Sequence, residues 1–388
     1  MNKDRVYSSG GVYVHVPYCR KRCIYCDFYS AGVVQADWHR LVDALLTELD
    51  VRKAEWPDTI ETLYIGGGTP SLIPVREFER LSTSLHERLI NSTIKEFTIE
   101  VNPEDVNVES VAVWKANGVN RVSIGIQSFD DRLLRIVGRL HGAETARHAL
   151  KLLRSEYDNV SGDIIFGLPG QSIRGFERDI REILDMGVTH LSAYSLMYEE
   201  RTALTRLRDM GRVNETDEAD SIEMFSLIGR LTEAYGLRRY ELSNYAVPGY
   251  ESRHNNLYWS GKPYLGLGPS AHSYDGKRTR CWNAGDIRRY LQTFTTVNPS
   301  LDLQNMLVTR EILTDEELRE EQIMTRLRTI AGLDCRAYRL QWGEQAWKKL
   351  KYNMARHIES GNLCLKEDML SLTEKGVMIS DEVIVDLF

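Results

Sequence analysis

The stretch VYVHVPYCRKRCIYC, residues 12–26, holds three of the chain's six cysteines directly behind a β-branched run. VYVHV reads as a buried strand, and the loop behind it spaces Cys19, Cys23 and Cys26 as C-x3-C-x2-C. Thiols on one loop can converge on one point. A structural zinc wants a fourth ligand, for which only Asp27 and His15 stand near in sequence. A disulfide leaves an odd thiol and suits an oxidising compartment. A cubane iron–sulfur cluster on three thiolates keeps one iron open for a substrate or cofactor, as a catalytic zinc keeps an open position. The ligand count favours the cluster.

Outward from this loop, strand-like and helix-like segments alternate. TLYI (62–65), EFTIEV (96–101), NRVSIGI (120–126), VSGDIIF (160–166) and THLSAYSL (189–196) read as buried strands. Helical spacing covers 38–53, 75–90, 107–117, 130–155 and 173–186. Six strands alternating with helices predict a parallel sheet, either a full barrel or an open partial one, with right-handed crossovers. Sites on such sheets form at the strand C-termini, where the loops read PYCRKRC, GGGTP, NPED, QSFD, GLPGQ and MYEER. GGGTP, alone, reads equally as a tight turn or as backbone N–H groups offered to a carboxylate. Glu100, Gln127 and Asp163 stand on strands and Arg139 follows nearby; a charge inside a parallel sheet is costly unless paired or ligand-bound.

Past residue 200 the pattern loosens. A helix is predicted at 217–235, residues 238–283 are rich in Tyr, Gly, Asn and Trp, and a helical tail ends in a short strand pair, predicting a small winged-helix-like unit. The net charge of −7 argues against nucleic acid as the main partner. The opening MNKDRVYSSGG lacks an apolar secretory core, so a cytoplasmic location is expected. Cys281, Cys335 and Cys364 read as small buried hydrophobes. Arg20-Lys21-Arg22 reads as a solvated loop that could also attract an acidic electron donor.

The cysteine motif, with Tyr25 before its last cysteine, resembles the radical S-adenosylmethionine (SAM) superfamily. There the open iron of a 4Fe–4S cluster is chelated by the amino and carboxylate groups of SAM. The string VYVHVPYC, GGGTP, IEVNPE, RVSIGIQSF, GRLH and DIIFGLPGQ is similar to the oxygen-independent coproporphyrinogen III dehydrogenase family over residues 11–200, and more loosely beyond. The resemblance implies a partial (β/α)6 barrel over 1–205, an extension over 206–308, and a winged-helix-like domain over 309–388. It also implies SAM contacts from Tyr13, Gly67, Gly68, Thr69, Glu100, Gln127, Arg139 and Asp163, with Tyr25 and Met197 as further matches.

One position departs. The dehydrogenase proper carries a further cysteine two residues past the third; here Phe28 stands there. That puts radical decarboxylation of coproporphyrinogen in question and leaves SAM cleavage open. The CDF ending, with RHNNLYW at 253–259 matching an HNxxYW motif, resembles a heme chaperone branch of the family. On that resemblance His254 is the expected heme ligand, Tyr258 and Trp259 pack on the macrocycle, and Arg253 meets a propionate. His272 is the second candidate. The implied partners are heme, recipient respiratory hemoproteins, and an electron donor such as flavodoxin or ferredoxin, with peripheral membrane association.

Overall fold

The computed structural model describes residues 9–55, 57, 59–89, 92–295 and 307–388. Strand β1 (Ser9–Val16) is followed by two short strands of the cysteine loop, β2 (Tyr18–Cys19) and β3 (Ala31–Gly32). Then come β4 (Thr59–Gly67), β5 (Glu96–Val101), β6 (Arg121–Gln127), β7 (Val160–Phe166) and β8 (His190–Ser195). β1 and β4 to β8 lie side by side in chain order, all parallel. This is the partial barrel with its strand C-termini at one mouth.

Helices α1 (Trp38–Val51), α2 (Val75–Arg88), α3 (Val108–Ala116), α4 (Asp131–Ile136), α5 (Ala143–Glu156) and α6 (Ile173–Asp185) cover the outer face. Val12, Val14 and Val16 of β1 are fully buried in this layer, so Tyr13 and His15 point to the opposite, inner face. The single helix expected over 130–155 is two. Gly138 takes φ +82° and Asp131 accepts a hydrogen bond from the N–H of Ala143 at 2.7 Å, closing a turn that delivers Arg139 to the mouth.

The chain continues through α7 (Ala203–Asp209) and α8 (Glu218–Ala234). β9 (Arg238–Arg239) and β10 (Asn244–Ala246) then extend the sheet beyond β8. After α9 (Arg253–Ser260), strand β11 (Tyr264–Leu267) pairs parallel with β1. β12 (His272–Tyr274), β13 (Thr279–Asn283) and β14 (Val308–Ile312) add antiparallel strands beyond it. Both edges of one sheet are therefore built from the loosely patterned region.

A separate apolar cluster, including Ile323, Leu327, Leu350, Met354, Leu370 and Val383, holds the last part of the chain. There helix Asp315–Leu327 and the helical segment Cys335–Glu359, broken into two at Gly343 (φ +83°), pack beside a three-stranded sheet ending in the hairpin Leu363–Lys366 and Met369–Leu372, a winged-helix-like arrangement. Among the described residues no helix is long and apolar enough to cross a membrane.

Candidate functional site

Cys19, Cys23 and Cys26 are free, half-buried thiols at the barrel mouth. The N–H of Ile24 donates to Val137 O at 3.3 Å and that of Cys26 to Cys23 O at 3.2 Å. Arg20 is not simply solvated: it pairs with Asp105, which also accepts from Ser71 Oγ at 2.7 Å. This pair ties the cysteine loop to the loop after β5, and Arg20, Lys21 and Arg22 all remain exposed. Thr69 Oγ1 donates to Cys19 Sγ at 3.3 Å, and Arg139 Nη1 faces Cys23 Sγ at 3.7 Å. Burial pushes the Cys19 thiol up, and that of Cys26 to about 11, so thiolate formation here calls for a cation to displace the protons.

The donor set fits a cubane cluster. Among the described residues no three His, Cys, Asp or Glu side chains stand close enough to hold one ion, whereas cubane thiolates each take a separate iron. Neither candidate for a fourth ligand is offered: His15 is buried, with Nδ1 on Tyr13 OH and Nε2 on Tyr29 O, and Asp27 points to solvent.

The glycine run presses on the same loop. A Cβ on Gly68 would lie 3.0 Å from Cys19 Sγ and 2.9 Å from Val16 O, a contact only glycine permits. The N–H of Gly67 donates to Glu100 at 3.1 Å and Tyr64 OH donates to it at 2.7 Å. Burial nevertheless raises Glu100 to about 7, and the charge of Asp163 adds to the rise. Asp163 sits deeper, accepting from Ser123 Oγ at 2.9 Å and Ser161 Oγ at 3.0 Å, and burial raises it too.

Arg139 Nη2 donates to Asn102 Oδ1 at 2.8 Å and Gly125 O at 2.7 Å, while its buried Nε has no partner among the described residues. Gln127, held at φ +68°, brings its amide beside the same Gly125. Tyr25 packs against Leu133, Val137 and Leu168 beneath the cysteine loop. Met197 is 62% exposed beyond β8, and Phe28, next but one to Cys26, is 69% exposed. Sequence reasoning missed Asn102, which bridges Arg139 to Thr69 Oγ1 at 3.4 Å; its signal was its place in NPED at a strand end.

The motif histidine lies elsewhere. α9 closes the N-terminal end of the barrel, its first N–H groups held by Glu96: Arg253 N at 2.8 Å and His254 N at 2.9 Å. His254 is 1% exposed, with Nδ1 on Thr62 Oγ1 at 2.7 Å and Nε2 on Tyr258 OH at 2.9 Å. Burial pushes its pKa down to about 3, so both nitrogens of the neutral ring are engaged. So placed, the ring turns both nitrogens to partners inside the barrel. Tyr13 stands on the inner face between the two ends, its ring 5.9 Å from Tyr64 and 6.4 Å from His254. His272 is exposed on β12, stacked on Trp282 at 5.7 Å.

Residues 13–183 match the radical SAM superfamily and 313–379 the HemN C-terminal domain. The class is thus a radical SAM protein with a HemN-type tail. Over 98% of this chain and 90% of the other, the fold superposes at a TM-score of 0.82 and 21% identity on coproporphyrinogen III oxidase (HemN) from Escherichia coli. Heme chaperone HemW of Bacillus subtilis is 32% identical over 96% of this chain and 97% of its own length, and that of Escherichia coli K12 is 35% identical over 72% and 75%. The chain belongs to the HemW family.

Proposed function

We propose that the protein is a heme chaperone that carries a 4Fe–4S cluster and SAM at the cysteine mouth and passes heme to respiratory hemoproteins. The observation that carries this reading is the full-length likeness to heme chaperones joined to a mouth where Phe28 occupies the place of the dehydrogenase's additional cysteine.

Cys19, Cys23 and Cys26 would hold the cluster, which would supply an open coordination position and an electron for SAM. The chain's own groups then position the cofactor. Glu100 and the Gly67–Gly68 backbone suit the methionyl ammonium, while Gln127 and Asp163 suit ribose hydroxyls. Arg139, cationic beside Cys23 and with an N–H that has no partner among the described residues, suits the carboxylate. Tyr13 lines the inner face below them, and Thr69 steadies Cys19. Tyr25 and the exposed thioether of Met197 suit the adenine ring. Exposed Lys21 and Arg22 beside the cysteines form a docking charge for an acidic electron donor of the flavodoxin or ferredoxin type. Respiratory recipients would bring the protein to the membrane surface peripherally.

Anaerobic reconstitution followed by heme titration, with and without SAM, tests the reading. Iron near four per chain and a saturable Soret band are expected. Absence of saturable heme binding, or protoporphyrinogen formed from coproporphyrinogen by the reduced protein, would overturn it.

A further inference from the structure

Across the inner face of the sheet one row of side chains runs Tyr13, Tyr64, Thr98 and Arg121, each opposite the next on β1, β4, β5 and β6. The row above, about 7 Å nearer the mouth, sets Glu100 opposite Ser123 and Ser123 opposite Ser161. Asp163 follows one row higher on β7 and accepts from both serines. Arg121 is 1% exposed, and its Nε and Nη1 have no hydrogen-bond partner among the described residues. A buried cation is costly unless anions answer it.

Three carboxylates share that charge. Glu96, in the row below opposite Thr62, gives its oxygens to the N–H groups of Arg253 and His254 and reaches Arg121 through its charge. The other two lie towards the mouth. Burial raises Glu100 to about 7; hydrogen bonds from Tyr64 and Gly67 oppose the rise, the charge of Asp163 adds to it, and the charge of Arg121 opposes it. Burial raises Asp163 as well, against the hydroxyls of Ser192, Ser123 and Ser161 and against the same guanidinium. The other groups acting on Glu100 are hydroxyls that burial keeps neutral: Tyr13 of β1, Tyr194 of β8 and Tyr258 of α9. His190 and His254 supply no cation here, since burial holds both neutral.

We propose that Arg121 is a positioning residue for SAM: a fixed buried cation whose charge keeps Glu100 and Asp163 as carboxylates, able to take the methionyl ammonium and the ribose. It acts through those two side chains rather than on the cofactor. Because two of its N–H groups are not claimed by a carboxylate, the charge is spread over the inner face instead of being held in one tight pair. The inference rests on the SAM reading of the mouth.

SAM titration of the anaerobically reconstituted full chain between pH 6 and pH 9, followed by calorimetry, tests it. Each variant's Kd is divided by that of the unaltered protein at the same pH, so that ionisation of SAM itself cancels. Arg121→Met, similar in length and uncharged, should weaken SAM about fivefold or more at pH 7, and the ratio should return towards one by pH 9 as Glu100 ionises. Arg121→Lys, which keeps the charge, should stay within about twofold throughout. Circular dichroism melts check folding, and Arg121→Gln takes the place of Arg121→Met if the latter does not melt cooperatively. A ratio equally raised at every pH would show a purely structural role, and a ratio near one at pH 7 would show none; either overturns the inference while leaving the SAM reading intact. No saturable SAM binding by the unaltered protein at any pH would overturn that reading, and the inference with it.

Discussion

At the cysteine mouth Arg139 keeps a buried N–H without a partner among the described residues, Gln127 sits at φ +68°, and Glu100 is raised to about 7. At the opposite end, inside the barrel, Glu96 caps the N–H groups of α9 and His254 has a partner on each nitrogen. Both ends bury polar groups on the same strands. At the mouth a strained backbone and a raised carboxylate accompany the unpartnered N–H, as in a site that takes a charged ligand. At the other end the helix N–H groups and His254 are paired, although Arg121 Nε and Nη1 beside them have no partner among the described residues. A residue's motif does not reveal which end it serves.

Four experiments would break or sharpen that contrast. The largest effect belongs to the mouth: replacing Cys19, Cys23 or Cys26 by Ala should abolish cluster uptake, read as iron content and visible absorbance after anaerobic reconstitution, with the melting curve of the metal-free protein little changed. Equal loss of the fold would show that the thiols are structural. At the closed end, Glu96→Ala strands the N–H groups of Arg253 and His254 and removes a charge that acts on the buried Arg121. Leaving a buried donor unpaired costs about 1–3 kcal/mol each, and urea unfolding should show it without any change in iron content.

His254 gives a smaller, pH-dependent signal. Its folded pKa of about 3 lies below the ordinary value for histidine, so the unfolded chain binds the extra proton between pH 6.5 and 3, and stability falls as pH drops through that window. The loss between pH 7 and pH 5 should be about 2 kcal/mol. It should vanish in His254→Gln; an unchanged slope there would place the titration on another group, such as His190, which burial also lowers.

Glu100 gives the smallest. An ionised Glu100 would meet the SAM ammonium, so SAM should bind about tenfold more weakly at pH 6 than at pH 8, a carboxylate with a pKa near 7 being mostly protonated at the lower pH. Glu100→Gln should flatten that dependence; a profile that stays steep would remove Glu100 from the ammonium.

Local pattern carried much of the fold. EFTIEV and VSGDIIF are strands over the residues quoted, because a buried parallel strand is a short apolar run with few alternatives. The break at Gly138 was not legible: the apolar spacing of 130–155 continues across it, and the bond from Ala143 to Asp131 forms only in the folded turn. Within the mouth, GGGTP and the cysteines could be read because their chemistry is local. Asn102 and the Arg20–Asp105 pair could not, since each joins loops far apart in sequence.

The amino-acid order alone determined that three thiols lie on one loop behind a strand, that six strands alternate with helices, and that Phe28 replaces a cysteine. Only the folded chain decided that RHNNLYW faces two ways, His254 into the barrel and Trp259 onto a cleft beside helix Asp315–Leu327. The physical reason is that a ring nitrogen's availability depends on which partners surround it, and here those partners, Thr62 and Tyr258, are brought to it from a strand and from one helical turn onward.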